Sequence, residues 1–362
     1  MTLDSLDIER TQQELNEAVE FELPKIKRLR EMVRELKIFE IGYRHCFAIA
    51  PVATDGGENR LSFEPMNIEI LRVVDSEGHE HIQRIIPLSF EPEMIKTLFE
   101  TTDALAEFLR RLKIDYEELS YLLPSEEYED RRVDPRGSIR VLRDIMEWAV
   151  LLKLAWNSTH AKVLLIRDGL LRTKSLRIQT VQKMGGSFEE AYRKTGCMIL
   201  GVAKKSKVLN YLSLALSLEG IFNRNYACYC EIPEHIERDC YNWSKTWLEG
   251  PAFGRLHLVK LSKIRDSIIL PVDIPTWLLN RRKEVLEYLA NTAITSFPII
   301  GYPYPLQKAH ENAVLHGLEM EVLSHYLKEA IMDCHNENEQ GKILEYISFK
   351  KGITKGGVKE YG

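Results

Sequence analysis

The segment Lys162-Val163-Leu164-Leu165-Ile166-Arg167-Asp168-Gly169 constrains this chain more than any other. Four consecutive apolar residues, Val163 to Ile166, predict a buried strand. An acid and a glycine close it, a common way to place a carboxylate at a sheet edge. Upstream, Ser138 to Trp156 predicts a strong helix with Ser138 as its cap. Glu147 interrupts the apolar stretch Ile145-Met146-Glu147-Trp148-Ala149-Val150-Leu151-Leu152 of that helix. A helix apolar nearly all round is buried. A carboxylate inside it is costly unless a cation, a proton or hydrogen bonds compensate it. A metal is one solution; the plainer ones are a structural ion pair, for instance with an arginine from another element, or a side chain that reaches the rim.

Two further residues extend the pattern. Asp55 ends an earlier apolar run and precedes Gly56-Gly57, and His310 lies far downstream on an amphipathic helix. The order strand-Asp, helix-Glu, strand-Asp, helix-His suits metal-dependent phosphodiester cleavage, in which converging carboxylates hold two divalent ions about 3.5–4 Å apart. Oxygen ligands favour Mg²⁺ or Mn²⁺, and a histidine tilts the choice toward Mn²⁺. Each residue has a plainer reading as well. Asp-Gly is a frequent turn pair, lone histidines are mostly ordinary surface or core residues, and Glu311 beside His310 is a fallback ligand.

Around these residues the chain reads as α/β. Leu6 to Lys37 predicts a helical arm (residues 1–37) broken or kinked at Pro24. Residues 38–335 read as the main domain. Strand-like stretches at Phe39 to Thr54, Ile68 to Val74 and His81 to Phe90 form a meander whose last strand, with Pro87, is an edge or broken strand. Residues 91–137 read as an insertion, a helix over Glu93 to Leu112 followed by a charged loop from Ser125 to Gly137. Further strands are expected at Cys197 to Ala203, Tyr226 to Glu231, Arg255 to Leu261 and Ser267 to Val272. Helices are expected at Val208 to Leu218, Arg281 to Asn291, Leu306 to His316 and Met320 to Met332. The Lys/Gly-rich end, within a tail of residues 336–362, reads as loose. A meander followed by helix, strand, helix and strand is the RNase H-like topology, a mixed sheet of antiparallel meander and parallel strands flanked by helices.

The segments Thr54-Asp55-Gly56-Gly57, Glu147, Leu164 to Gly169, Gly201-Val202-Ala203-Lys204-Lys205-Ser206 and Gly301-Tyr302-Pro303-Tyr304-Pro305-Leu306 with Ala309-His310 together resemble the motifs of the NurA nuclease family. The last is the most specific, and the resemblance spans roughly residues 40 to 330. It implies an RNase H-like core and a Mn²⁺-dependent nuclease acting on DNA, with 5′–3′ exonuclease and single-strand endonuclease activity. It also implies a homodimer working with a HerA-type hexameric ATPase in end resection or defence. By motif match Asp55, Glu147, Asp168 and His310 are the metal ligands, and Lys204 completes the catalytic set. The chain departs from the family where serine often follows Asp-Gly: Gly57 and Leu170 stand there.

Other features carry expectations of their own. Lys204, Lys205 and Lys207 open a helix and suit a phosphate, or are simply solvated. Arg172, Lys174 and Arg177 are placed to track a DNA backbone, and Tyr302 and Tyr304 to stack bases or to pack rigidly among their prolines. Cys228, Cys230, His235 and Cys240 form a loose zinc candidate, although Cys-x-Cys fits an alternating strand better than a zinc site. Six cysteines without regular spacing make no disulfide framework, and a net charge of −5 argues against coating nucleic acid by bulk charge. No apolar stretch reaches membrane-spanning length and the N-terminus is acidic, so a cytoplasmic protein without a signal peptide is expected. No Gly-Lys-Ser/Thr phosphate loop is present, so ATPase activity would belong to a partner. Two alternatives stand beside the nuclease reading. One is a catalytically inactive subunit docking on an ATPase ring. The other is a restriction-type enzyme, for which Asp266 lacks the expected Glu-x-Lys partner.

Overall fold

The computed structural model describes residues 8–43, 49–63, 66–87, 97, 100–115, 135–158, 162–243, 252–265, 267–294 and 296–355. Its frame is a nine-stranded sheet. The strands are β1 (Phe39–Glu40), β2 (Ile49–Phe63), β3 (Met66–Asp75), β4 (Glu80–Pro87), β5 (Lys162–Asp168), β6 (Met198–Val202), β7 (Cys228–Glu231), β8 (Gly254–Lys260) and β9 (Leu270–Pro275). Their spatial order is β1-β7-β8-β9-β6-β5-β2-β3-β4. β2, β3 and β4 form the antiparallel meander, while β5 and then β6 add in parallel to β2. These five strands are the RNase H-like core. β9, β8, β7 and β1 extend it in antiparallel fashion. β4 is an edge strand ending at Pro87, where a missing N–H costs the ladder nothing.

Alternation along the central strands feeds two cores. Leu165 of β5 points to one face, where it joins α2 (Ala104–Leu112), α3 (Pro135–Asn157) and α4 (Ile178–Thr195) around Trp148 and Phe188. Leu164 and Ile166 point to the other, toward α7 (Arg282–Asn291) and α8 (Tyr304–Ala313) through Leu286, Leu289, Leu306 and Ala309. Each such fully buried aliphatic side chain stabilises the fold by roughly 1.5–3 kcal/mol relative to exposure. A third cluster joins α1 (Ile8–Arg34), α5 (Lys207–Leu218) and α6 (Glu234–Trp243) to the strands β7 and β8. Beyond α8 follow α9 (Gly317–Asp333) and α10 (Glu337–Lys355).

Several expectations need correction. β2 does not stop at Asp55: its ladder with β3 runs on from Thr54 opposite Asp75 to Phe63 opposite Met66, so Asp55-Gly56-Gly57 lies within a strand rather than a turn. α1 continues through Pro24, its later turns fastened by burial of Leu29, Met32 and Val33. Ser138 lies inside α3 and is buried, not a cap. α4 was not anticipated at all. The helix expected from Glu93 to Leu112 is interrupted at 101–103, and Ala104–Leu112 starts anew with the Asp103 side chain accepting from the Ala106 N–H. Most of the charged loop before Gly137 lies outside the described residues, as does Asp266. The tail is helical as far as Lys355 because Asn336 and Glu339 form a reciprocal capping box at its start.

Candidate metal centre

The parallel pairing of β2 with β5 ends at Thr54 opposite Arg167. The next residue of each strand is an acid, and the pleat turns both to the α8 face. The β2–β5 ladder goes no further than Thr54 and Arg167. His310, in the last turn of α8, comes down on that face with Nδ1 2.8 Å from Asp55 Oδ2. One ligand atom from each of Asp55, Asp168 and His310 lies within 4.8 Å of the other two. Donors around a single cation at metal–ligand distances of ~2.1 Å are at most ~4.2 Å apart, so a small approach of the three side chains would let them share one ion. Among the described residues it is the one group of three His, Cys, Asp or Glu side chains close enough to share an ion.

The electrostatics fit a cation. Burial pushes the Asp168 carboxyl above its ordinary range and the Asp55 charge adds to the push, while the Lys204 ammonium opposes it. Lys204 Nζ donates to Asp168 Oδ2 at 3.3 Å and lies 5.5 Å above the Tyr302 ring. Two carboxylates with a lysine and an imidazole between them leave acceptor lone pairs unfilled, and a divalent ion would fill them.

Glu147 approaches from the opposite face. It extends from α3 over Gly56, where a Cβ would collide with its Oε1. Its Oε2 is 3.4 Å from Arg167 Nη2 and its Oε1 3.7 Å from Arg143 Nε. Burial pushes its carboxyl up to about 8; Arg167 opposes the shift, and Asp144 and Asp55 add to it. Glu147 therefore lies against two arginines, within electrostatic reach of Asp55. Arg143 escaped notice in the sequence, although it stands one helical turn before Glu147, where an i,i+4 pair shares a face.

The other predicted site residues divide. Lys204, Lys205, Lys174 and Tyr304 are exposed, and Lys204 reaches the centre. Ser206 caps α5 by accepting from the Leu209 N–H, so the lysine cluster does sit at a helix start. Tyr302 does not stack bases: it is buried at 1% exposure. Its hydroxyl lies beside the Asp168 carboxyl. Burial raises the phenol above its ordinary range, and the nearby charges of Asp168 and Asp55 add to the rise. Arg172 does not track DNA either. It is buried, forking to Asp273 at 2.7 and 2.9 Å and pairing with Glu237, because two interior acids need a guanidinium. The zinc candidate does not assemble. Cys228, Cys230 and Cys240 are buried in an apolar cluster that pushes their thiols up to about 11, 12 and 12. His235 is exposed and faces Glu35 at 3.8 Å. No helix among the described residues is long and apolar enough to cross a membrane.

Fold and site together define an RNase H-like α/β protein with an acid-and-imidazole centre where the β2–β5 ladder ends. The model of the NurA domain matches residues 52–315, well over half of the chain, and the chain belongs to the NurA family. No curated protein matches it. Among solved structures it is similar to the NurA nuclease from Sulfolobus solfataricus, with 13% identity, a TM-score of 0.44, and coverage of 93% of this chain and 99% of that one. It is similar too to a NurA bound to dAMP and manganese, at 12% identity, a TM-score of 0.41, and coverage of 94% and 99%. Endonuclease V from Bacillus subtilis follows at 11% identity, a TM-score of 0.28, and coverage of 85% and 92%.

Proposed function

We propose that this NurA-family chain is a metal-dependent deoxyribonuclease. The observation that carries the reading is the convergence of Asp55, Asp168 and His310 from two strands and a helix within 4.8 Å. A divalent ion bound there supplies Lewis acidity toward a phosphodiester and toward water. Asp55 and Asp168 would hold it through carboxylate oxygens and His310 through an imidazole nitrogen, a donor set suited to Mn²⁺ or Mg²⁺. Glu147, across Gly56, is placed to join as a ligand for a second ion if it leaves Arg143 and Arg167. Lys204, at the rim, offsets phosphate charge next to Asp168, and the exposed Lys205 and Lys174 are further candidates for backbone phosphates. Tyr304, exposed at the start of α8, offers a ring to a base.

The finer parts of the proposal rest on the family resemblance. They are 5′–3′ exonuclease and single-strand endonuclease action, a homodimer, a HerA-type hexameric partner and cytoplasmic work in resection or defence. The test is cleavage of labelled single- and double-stranded DNA with Mn²⁺, comparing the protein with Asp168→Ala. We expect the variant to stay folded and to lose more than ~10³-fold in rate. Equal cutting by the two proteins would overturn the assignment of the centre. Inertness of the unmodified protein, alone and with a HerA-type ATPase, would favour a structural subunit.

A further inference from the structure

Arg72 lies on β3 opposite Gly57, on the face that carries α8. Its guanidinium donates to three successive carbonyls at the end of α8: Asn312 O, Ala313 O at 3.0 Å and Val314 O at 3.2 Å. Glu80 and Glu319, each 3.7 Å from Nη1, hold its outer side. The last carbonyls of a helix have no partner within it, so the final turn frays unless something outside binds them. His310 stands in that final turn and is itself exposed. Three more contacts fasten the same segment to the meander. Asn312 Nδ2 donates to Asp75 O at 3.1 Å, and the Leu315 N–H donates to Asn59 Oδ1 at 3.2 Å. Gly57 lets the Ala313 carbonyl approach the strand so closely that any Cβ would collide with it. That approach explains the glycine where the family often has serine.

We infer that Arg72 is a positioning residue for the metal centre: by clamping the end of α8 to β3 it fixes the imidazole of His310 against Asp55 and Asp168. In this role it acts through His310. The inference rests on the metal reading above. Residues that orient a metal ligand typically affect metal affinity by about 10–100-fold when removed.

The experiment is Mn²⁺ binding, followed by electron paramagnetic resonance of free Mn²⁺, for the full chain and for Arg72→Ala, His310→Ala and the double variant, with thermal melts as a check on folding. We expect Arg72→Ala to bind Mn²⁺ about 10–100-fold more weakly, and the double variant to bind no more weakly than His310→Ala. If Arg72→Ala does not fold, Arg72→Lys is read instead. Lysine is shorter and offers its donors from one nitrogen, so it does not reproduce the fork that reaches the carbonyls from two, and this variant is expected to weaken binding as well. Wild-type affinity in the Arg72 variant would overturn the inference, as would an Arg72 effect of equal size with and without His310. Failure of the unmodified protein to bind Mn²⁺ would instead overturn the metal reading, and this inference with it.

Discussion

Two acidic clusters in this sheet differ in one respect that separates structure from chemistry. In the extension, Asp273 on β9 is fully buried and has its needs met: Arg172 holds both oxygens, and the Leu171 N–H donates to Oδ2 at 2.9 Å. In the core, Asp55 and Asp168 stand side by side with an imidazole and a half-exposed lysine, and Asp168 is held above its ordinary range. The first cluster is closed, each charge matched by a fixed partner. The second is open, with like charges brought together and lone pairs left over. Burial alone does not mark a functional carboxylate; lack of fixed compensation does.

The comparison can be broken by removing one acid from each cluster. Asp273→Ala leaves the buried Arg172 guanidinium with Glu237 as its carboxylate partner, and we expect a loss of about 3–5 kcal/mol in chemical denaturation. Asp168→Ala, in the absence of metal, should cost nothing and gain up to ~1 kcal/mol, because it relieves repulsion with Asp55. Equal losses from the two would erase the distinction.

Lys204→Ala sharpens it from the basic side. Removing the ammonium should slow cleavage by about tenfold to a hundredfold, since hydrogen bonds to charged groups are worth ~1.5–3 kcal/mol, and should leave the melting temperature nearly unchanged. Glu147→Gln tests the residue between the two types. Its carboxyl, raised to about 8 by burial, is mostly protonated at neutral pH, so the amide should leave the metal-free melting temperature within ~2 °C. The same change should remove much of the stabilisation that added Mn²⁺ provides, which a Mn²⁺ titration by thermal shift would read.

A second closed site lies on the meander. Asp75 accepts from the backbone N–H groups of Glu77 and His79 and from the imidazoles of His79 and His81. Burial works to raise its carboxyl, but these donors outweigh it and the net direction is down. A depressed acid stabilises the fold above the ordinary carboxylate range, and that contribution fades as pH falls through the folded-state value. Asp75→Asn should therefore cost about 1–2 kcal/mol at pH 7 and progressively less as pH falls below the ordinary carboxylate range, read from denaturant melts across that range.

Much of the site was legible one residue at a time. The apolar run into Asp168 and the acid inside an apolar helix are local signals, and the Tyr-Pro-x-Pro-Leu segment with Ala309-His310 carried the family. The misreadings share a cause. Arg172 and Tyr302 are residue types that bind DNA on a surface, and nothing local says that these two face inward. Arg72 is an unremarkable residue in an alternating strand, and its partners lie some 240 positions away.

By itself the sequence determined strand and helix periodicity, the order of the meander and crossover elements, and which acids end or interrupt apolar stretches, because these depend on neighbours a few residues apart. Only the tertiary structure decided which of the charges are already paired. It put Asp55 beside Asp168 through a parallel register, brought His310 over them, turned Glu147 to two arginines and sealed Arg172 against Asp273. The physical reason is that a charge's compensation depends on distance and desolvation in space, and sequence separation carries neither.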